Sequence, residues 1–271
     1  MEIVANYEDT ANVSQNYIHL NETEDSVFSN SKITFHGTGN VLFVEDGAKL
    51  MGTQITFFGN NSVIYLGKSI WNYRLAVHVY HSSVLHFGQN NSFNGLCRII
   101  LSERKHLFIG DDNMFSSEIM FRNADPHLIY DADSKSRINP SQSIFIGDHV
   151  WVGQDVRFLK GAQMGSGSVA AGFAIVTKKF PSNVIAGGNP AKVLKRNTFW
   201  TRPCVHAFTE EDTAQSLEND TDEFVYDAKQ DTLSFKELDV FFDSSESPRE
   251  KLRFLQEMKE KKTKNRFFIG G

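Results

Sequence analysis

From Ile144 to Lys195 the apolar positions recur every six residues. Ile146, Val152, Phe158, Met164, Ala170 and Val176 fall on one lattice, and Val150, Val156, Ala162, Ser168 and Ala174 fall on a second lattice of small or β-branched residues. A helix would repeat near 3.6 and a half-buried strand at 2, so this spacing predicts short strands joined by corners, a coiled β-solenoid. Gly147, Gly153, Gly165 and Gly172 cluster at or near the position after a lattice residue, where a tight corner favours glycine. If three six-residue faces close one turn, residues 18 apart stack: Ile146 over Met164, Val152 over Ala170 and Phe158 over Val176.

Upstream the repeat continues in looser form. VLFVEDGAKL, VIYLGKSI, VLHFGQNNSF and HLFIGDDNMF resemble IFIGDHVWV, with Val44, Leu66, Phe87, Ile109 and Ile146 in the matching slot. The first four lie 22, 21 and 22 residues apart, which one coil plus a small corner insertion would give. The β-helix domain is therefore expected over residues 30–196, with wider, aromatic-filled early coils and Asn60-Asn61 and Asn90-Asn91 as turn residues. Residues 1–29, polar and acidic, are expected to form a cap or a strand-like lead-in.

The lattice fails at one point. Six residues on from Ile109 is Phe115, then Phe121, and then His127, where an apolar residue is required. The segment ADPHLIYDADSKSRINPSQS breaks the periodicity until Ile144, so a polar loop, 124–143, leaves the coil here. Loops on a rigid scaffold are where binding and catalysis concentrate. The competing reading is a solvated excursion with an incidental histidine.

Composition narrows the classes. With 271 residues, 40% hydrophobic and 23% charged, the chain suits a large globular core plus an appendage. No run approaches the ~20 apolar residues of a membrane span, and the start MEIVANYEDT lacks a signal-peptide pattern, so cytoplasm is the default expectation. A net charge of −5 gives no general attraction to nucleic acid. Cys97 and Cys204 are too few and too far apart for a zinc cluster or disulfide framework and read as buried small residues.

After Asn197 the repeat stops. The extension 197–271 reads as mixed α/β: FVYDAKQDTLSF as a hairpin around Lys229-Gln230, then a helix. Ser247 would cap that helix, with Pro248 at its first position, Glu250 reaching back, and Leu252, Leu255 and Met258 on one face. The basic KEKKTKN reads as a solvated helix end.

Asp125-Pro126-His127, then Ile146-Gly147-Asp148-His149-Val150-Trp151-Val152-Gly153, Ala171-Gly172, Val176-Thr177-Lys178 and Gly188-Asn189-Pro190-Ala191-Lys192 resemble the left-handed β-helix hexapeptide acetyltransferases. The similarity runs from about Ile109 to Lys195 and is nearest in character to O-acetyltransferases of capsular polysaccharide or sialic acid. It implies an all-β left-handed parallel β-helix and direct transfer of acetyl from acetyl-CoA to a glycan hydroxyl. It further implies a homotrimer with each site between two subunits. In that family's arrangement His127 is the general base, and its unperturbed pKa suits proton abstraction near neutral pH. Asp125 or a backbone carbonyl would orient the imidazole. Trp151 would wall the cleft, or else merely cover the coil. The backbone N–H of Gln154 would bind the thioester oxygen. Gly172, Thr177, Lys178 or its neighbour Lys179, Lys192 and Lys195 would line the donor groove, where lysines pair with phosphates.

Other functions stay open on sequence: N-acetylation of an amino sugar on the same fold, a non-catalytic scaffold, or a γ-type carbonic anhydrase with zinc on His78, His81 and His86. Strand-facing polar positions explain those three histidines without a metal.

Overall fold

A computed structural model describes residues 1–228, 232–260 and 262–271, and the predicted stacking is present in it. Ile146 pairs with Met164, Val152 with Ala170 and Phe158 with Val176. Val44, Leu66, Phe87, Ile109 and Ile146 form one continuous column through the looser coils as well. The chain is a left-handed parallel β-helix with three faces. Its first face has eight strands, from Glu2–Val4 to Ile175–Val176. Its second also has eight, from Tyr17–His19 to Lys179–Phe180. Its third has six, from Ser92–Phe93 to Lys192–Arg196, and a three-stranded sheet takes the same place in the early coils. Neighbouring strands run parallel except at the two ends. There Glu2–Val4 and Lys192–Arg196 pair antiparallel and terminate the ladders.

Inward residues of all faces merge into one apolar core from Val4 to Ala191. Stacked phenylalanines fill it, such as Phe35 on Phe57 at 4.7 Å and Phe121 on Phe158 at 4.8 Å. The lattice glycines have a different cause from the one expected. Gly147 and Gly165 have no left-handed backbone; a Cβ on them would lie 2.7 Å from Ser166 N and 2.5 Å from Ser182 N, so close approach of the next coil excludes a side chain. Non-glycine residues hold many of the left-handed corners, including Asn61, Asn90, His149, Asp155 and Phe173.

The residues before 30 already join the coil, since Tyr17–His19 and Val27–Ser29 pair with Val41–Val44 and Lys49–Met51. Beyond Asn197 the extension folds back over the second face, whose strands are buried on their outer side too. Val63, Tyr65, Val84, Phe108 and Phe145 form a second core with the helices that follow α1 (Glu210–Gln215), namely α2 (Phe235–Ser244) and α3 (Pro248–Glu260). In α3, Leu252, Leu255 and Met258 are buried and the Ser247 Oγ accepts the Glu250 N–H at 3.3 Å, as expected. Glu250, however, reaches back to the Ser245 hydroxyl, not to Ser247.

Three further expectations are corrected. The basic stretch is not a solvated end, because Lys259 pairs with Glu45 at 2.9 Å and Lys262 with Asp111 at 2.7 Å. Cys204 is exposed, although Cys97 is buried. Phe224–Ala228 and Thr232–Ser234 carry no strand, and the turn expected at Lys229-Gln230 lies outside the described residues. Among the described residues no helix is long and apolar enough to cross a membrane.

Candidate active site

The loop 124–143 leaves the coil between the first-face strand Ile119–Arg122 and the second-face strand Ile144–Ile146. It is a short hairpin, bridged at Tyr130 and Arg137 and tied by Ile138 N–H to Ile129 O at 2.9 Å. Its base is fixed by polar contacts. Buried Asn139 donates to His127 O at 2.8 Å, and Arg137 makes a two-pronged ion pair with Glu103, which also accepts from Ser141. Arg137, and then Ser141, hold the Glu103 carboxyl down at about 2. The stem of the hairpin stays apolar and uncovered, with Leu128, Ile129, Tyr130 and Ile138 all exposed.

His127 is exposed at the base of this loop, and its imidazole has no hydrogen-bond partner among the described residues. Asp125 does not orient it within the chain. Its carboxylate accepts from Lys160 and Asn139, and the Lys160 contact is the main cause of a pKa below the usual carboxylate range. Lys160 was not among the sequence candidates. The lattice register held the signal, since Arg122 pairs with Leu159 and puts Lys160 one coil beyond the loop base.

The remaining candidates divide between two edges of the first face. Gln154 precedes Arg157–Leu159, at the edge where the chain arrives from the third face. Its carbonyl accepts from Phe173 N–H at 2.8 Å, whereas its own N–H has no acceptor among the described residues. Gly172 lies directly over it, for a Cβ there would stand 3.4 Å from Gln154 O. Lys192 joins this edge through its pairing with Gly187, next to Gly188, whose carbonyl accepts from Ile175 N–H. Trp151 projects from the third face nearby, 39% exposed. Thr177 and Lys178 instead follow Ile175–Val176, at the opposite edge, the one that carries His127 and Lys160. Lys195 sits further along the third face, paired with Ile185. The chain thus brings Asp125, His127, Thr177 and Lys178 to one edge and Gln154, Gly172, Trp151 and Lys192 towards the other.

His149, two residues before Trp151, is a buried anchor rather than a base. It is sandwiched between Trp200 at 4.1 Å and Phe224 at 4.2 Å and bonded to Asp112. The carbonic-anhydrase histidines do not converge. His86 is buried and stacked on Phe108, His78 faces outward, and the Nδ1 of His81 accepts the Asn60 N–H. Among the described residues the one group with metal-ligand spacing is His106, Asp239 and Asp243, where α2 meets the coil.

No protein-family model matches the chain. The polysialic acid O-acetyltransferase of Escherichia coli O1:K1 is 39% identical over 103 residues, 38% of this chain and 34% of that protein. The chain therefore spans about a third of that relative's length. The polysialic acid O-acetyltransferase of Neisseria meningitidis is 28% identical over 189 residues, covering 69% of this chain and 87% of that protein. Among solved structures, the polySia-specific acetyltransferase NeuO superposes with a TM-score of 0.64 at 30% identity, over 74% of this chain and 93% of that one.

Proposed function

The chain belongs to the hexapeptide-repeat β-helix O-acetyltransferases that act on surface glycans, and from that premise we propose that it transfers acetyl from acetyl-CoA to a hydroxyl of an acidic capsule-type glycan, with His127 as base. The observation that carries this reading is the unpartnered imidazole of His127 on a loop whose base is held by Asn139 and Glu103.

The chemistry needs few groups. His127 takes the proton of the acceptor hydroxyl as its oxygen attacks the thioester carbonyl. The carbonyl oxygen becomes an oxyanion, to which the free Gln154 N–H donates. The tetrahedral centre then collapses, the C–S bond breaks, and the CoA sulfur leaves with the proton returned from the imidazolium. Gly172 keeps the donor edge open beside Gln154, Trp151 walls it, and Lys192 and Lys195 offer charge to the CoA phosphates. Thr177 and Lys178 serve the donor bound by the base-bearing edge.

Base and oxyanion donor stand at opposite edges of one face, so each site is completed by a neighbouring subunit of a homotrimer. The uncovered Leu128, Ile129, Tyr130 and Ile138 on the stem of the loop support this assembly. Incubation with acetyl-CoA and a panel of capsule oligosaccharides, with the added acetyl located by NMR, tests the reaction. No transfer to any acidic glycan would overturn it. Mixing His127→Ala subunits with Gly172→Trp subunits tests the assembly: partial recovery of activity is expected once subunits exchange, and none with exchange confirmed refutes a shared site.

A further inference from the structure

Along the edge of the first face that leads to His127, one outward column reads His36, Phe58, Tyr80, Ser102 and Ala124. The first three are large rings stacked coil on coil. His36 lies on Phe58 at 5.3 Å and Phe58 on Tyr80 at 5.3 Å, nearly parallel, and Phe58 and Tyr80 are 41% and 38% exposed. The next two are small. The ladder of rings therefore stops at Tyr80 and leaves a cleft of about 430 Å³ beside it, closed on the far side by Asp125, Pro126 and Leu128 of the His127 loop. That size falls within the range of small-molecule sites.

The cleft has a charge bias. Arg137 on its wall is committed to Glu103, and Asp125 is neutralised by Lys160. Arg122, in the outward row with His78 and Ile100, makes no ion pair or hydrogen bond through its guanidinium among the described residues. One planar cation with its hydrogen-bond donors free, and only the Asp125 charge near it, thus lines the cleft together with an exposed aromatic ring, beside the loop that carries the candidate base. A guanidinium in that setting matches a carboxylate, and an aromatic ring beside it matches the apolar side of a sugar.

We propose that this cleft is the acceptor subsite, that Arg122 holds the carboxylate of an acidic sugar, and that Tyr80, Phe58 and His36 form a track for the following sugars of the same chain. The inference rests on the acetyltransferase reading and adds to it the residues that select an acidic polymer over a neutral or short acceptor. The rings are spaced by the strand-to-strand step of the solenoid, so the track grows by one rung per coil away from His127.

Kinetics on purified enzyme test it, using an acidic oligosaccharide, its carboxyl-reduced form, and short and long members of the acidic series. Arg122→Gln should raise the acceptor KM roughly 10- to 100-fold for the acidic glycan, the range of a lost charge-assisted hydrogen bond. It should leave the acetyl-CoA KM unchanged and make no difference to the carboxyl-reduced glycan. Phe58→Ala should raise KM for long acceptors and not for a disaccharide. An unchanged acceptor KM in Arg122→Gln overturns the carboxylate subsite, and an equal effect of Phe58→Ala on both lengths overturns the track. Saturation-transfer NMR of the same oligosaccharide without acetyl-CoA separates this from the parent reading. Binding abolished by Arg122→Gln and Tyr80→Ala in folded protein supports the subsite even if no acetyl is transferred, and binding indifferent to both refutes it even if acetyl transfer is robust.

Discussion

The loop at 124–143 and the extension after Asn197 both interrupt an apolar lattice with polar sequence, yet they end in opposite environments. The loop keeps His127, Leu128, Ile129 and Tyr130 exposed and touches the coil mainly at its base. The extension instead buries Arg266 and Lys251 against the coil. Arg266 donates to both oxygens of Asp148 at 2.7 Å and pairs with Asp111 at 3.0 Å, while Lys262 also reaches Asp111. Polar sequence is thus left free where reaction needs access, and is drawn into ion pairs with the coil at Arg266 and Lys262 where it only has to hold the second face covered. Burial first, with the Asp111 charge beside it, raises the Asp148 carboxyl above its usual range, and the bidentate Arg266 opposes this.

The sharpest way to break this comparison is at the loop. His127→Ala should lower kcat roughly 10²- to 10⁴-fold with little change in Tm, because the exposed ring supports no packing. Steady-state kinetics beside a thermal melt measure both. A near-wild-type rate removes His127 as base, and a large fall in Tm makes the loop a structural element like the extension.

Arg266 should give the converse result. Arg266→Leu leaves Asp148 and Asp111 without their buried partner, which costs about 3–5 kcal/mol in urea unfolding. Adding Asp148→Asn should recover part of the loss, since the uncompensated charge is then removed. A single variant as stable as wild type would show that the extension is held by Phe235, Leu238 and their apolar neighbours alone.

The asymmetry in effect matches an asymmetry in legibility. The loop could be read because a six-residue count landed on His127 where the core demanded an apolar group, a contradiction contained in neighbouring residues. The column from Val44 to Ile146 was readable for the same reason. Arg266 meets Asp148 across 118 positions, and no periodicity links them. One cue was present: VLFV and VIYL are apolar on both sides of the strand, as only a covered face allows. The roles of Asp125 and Lys160 were hidden because coil-to-coil register, not sequence adjacency, joins them.

A smaller effect is expected at the donor lysines. Lys178→Ala or Lys192→Ala should raise the acetyl-CoA KM by roughly three- to tenfold with kcat nearly kept, in line with exposed point charges on a phosphate. Because Lys178 on the His127 edge and Lys192 on the neighbouring subunit's Gln154 edge would serve the same donor, the double variant should raise the acetyl-CoA KM more than either single one. Unchanged KM in both marks them as ordinary surface charges.

Acidification should separate the two regions with the smallest effect. In the extension, burial would raise the Asp243 carboxyl, but the His106 contact and Lys105 hold it at about 2. That contribution is complete above the unfolded carboxylate pKa of ~3.9 and is lost as pH falls towards about 2. Burial lowers the pKa of His106, so the fold favours its neutral form and loses stability as pH falls below the unfolded histidine value of ~6.5. The loop clip, Glu103 with Arg137, is held at about 2 and has no histidine, so it responds only in the lower window. Between about pH 6.5 and pH 4, hydrogen exchange should therefore rise in α2 and, because burial also lowers His86 to about 4, in the strand Val84–Phe87 beside it, while the loop base stays unchanged. Equal protection of α2 at both ends of that window would mean that its apolar contacts with Phe145 and Phe267 outweigh the His106 contact. Simultaneous loss across the whole solenoid would instead make extension and coil a single cooperative unit.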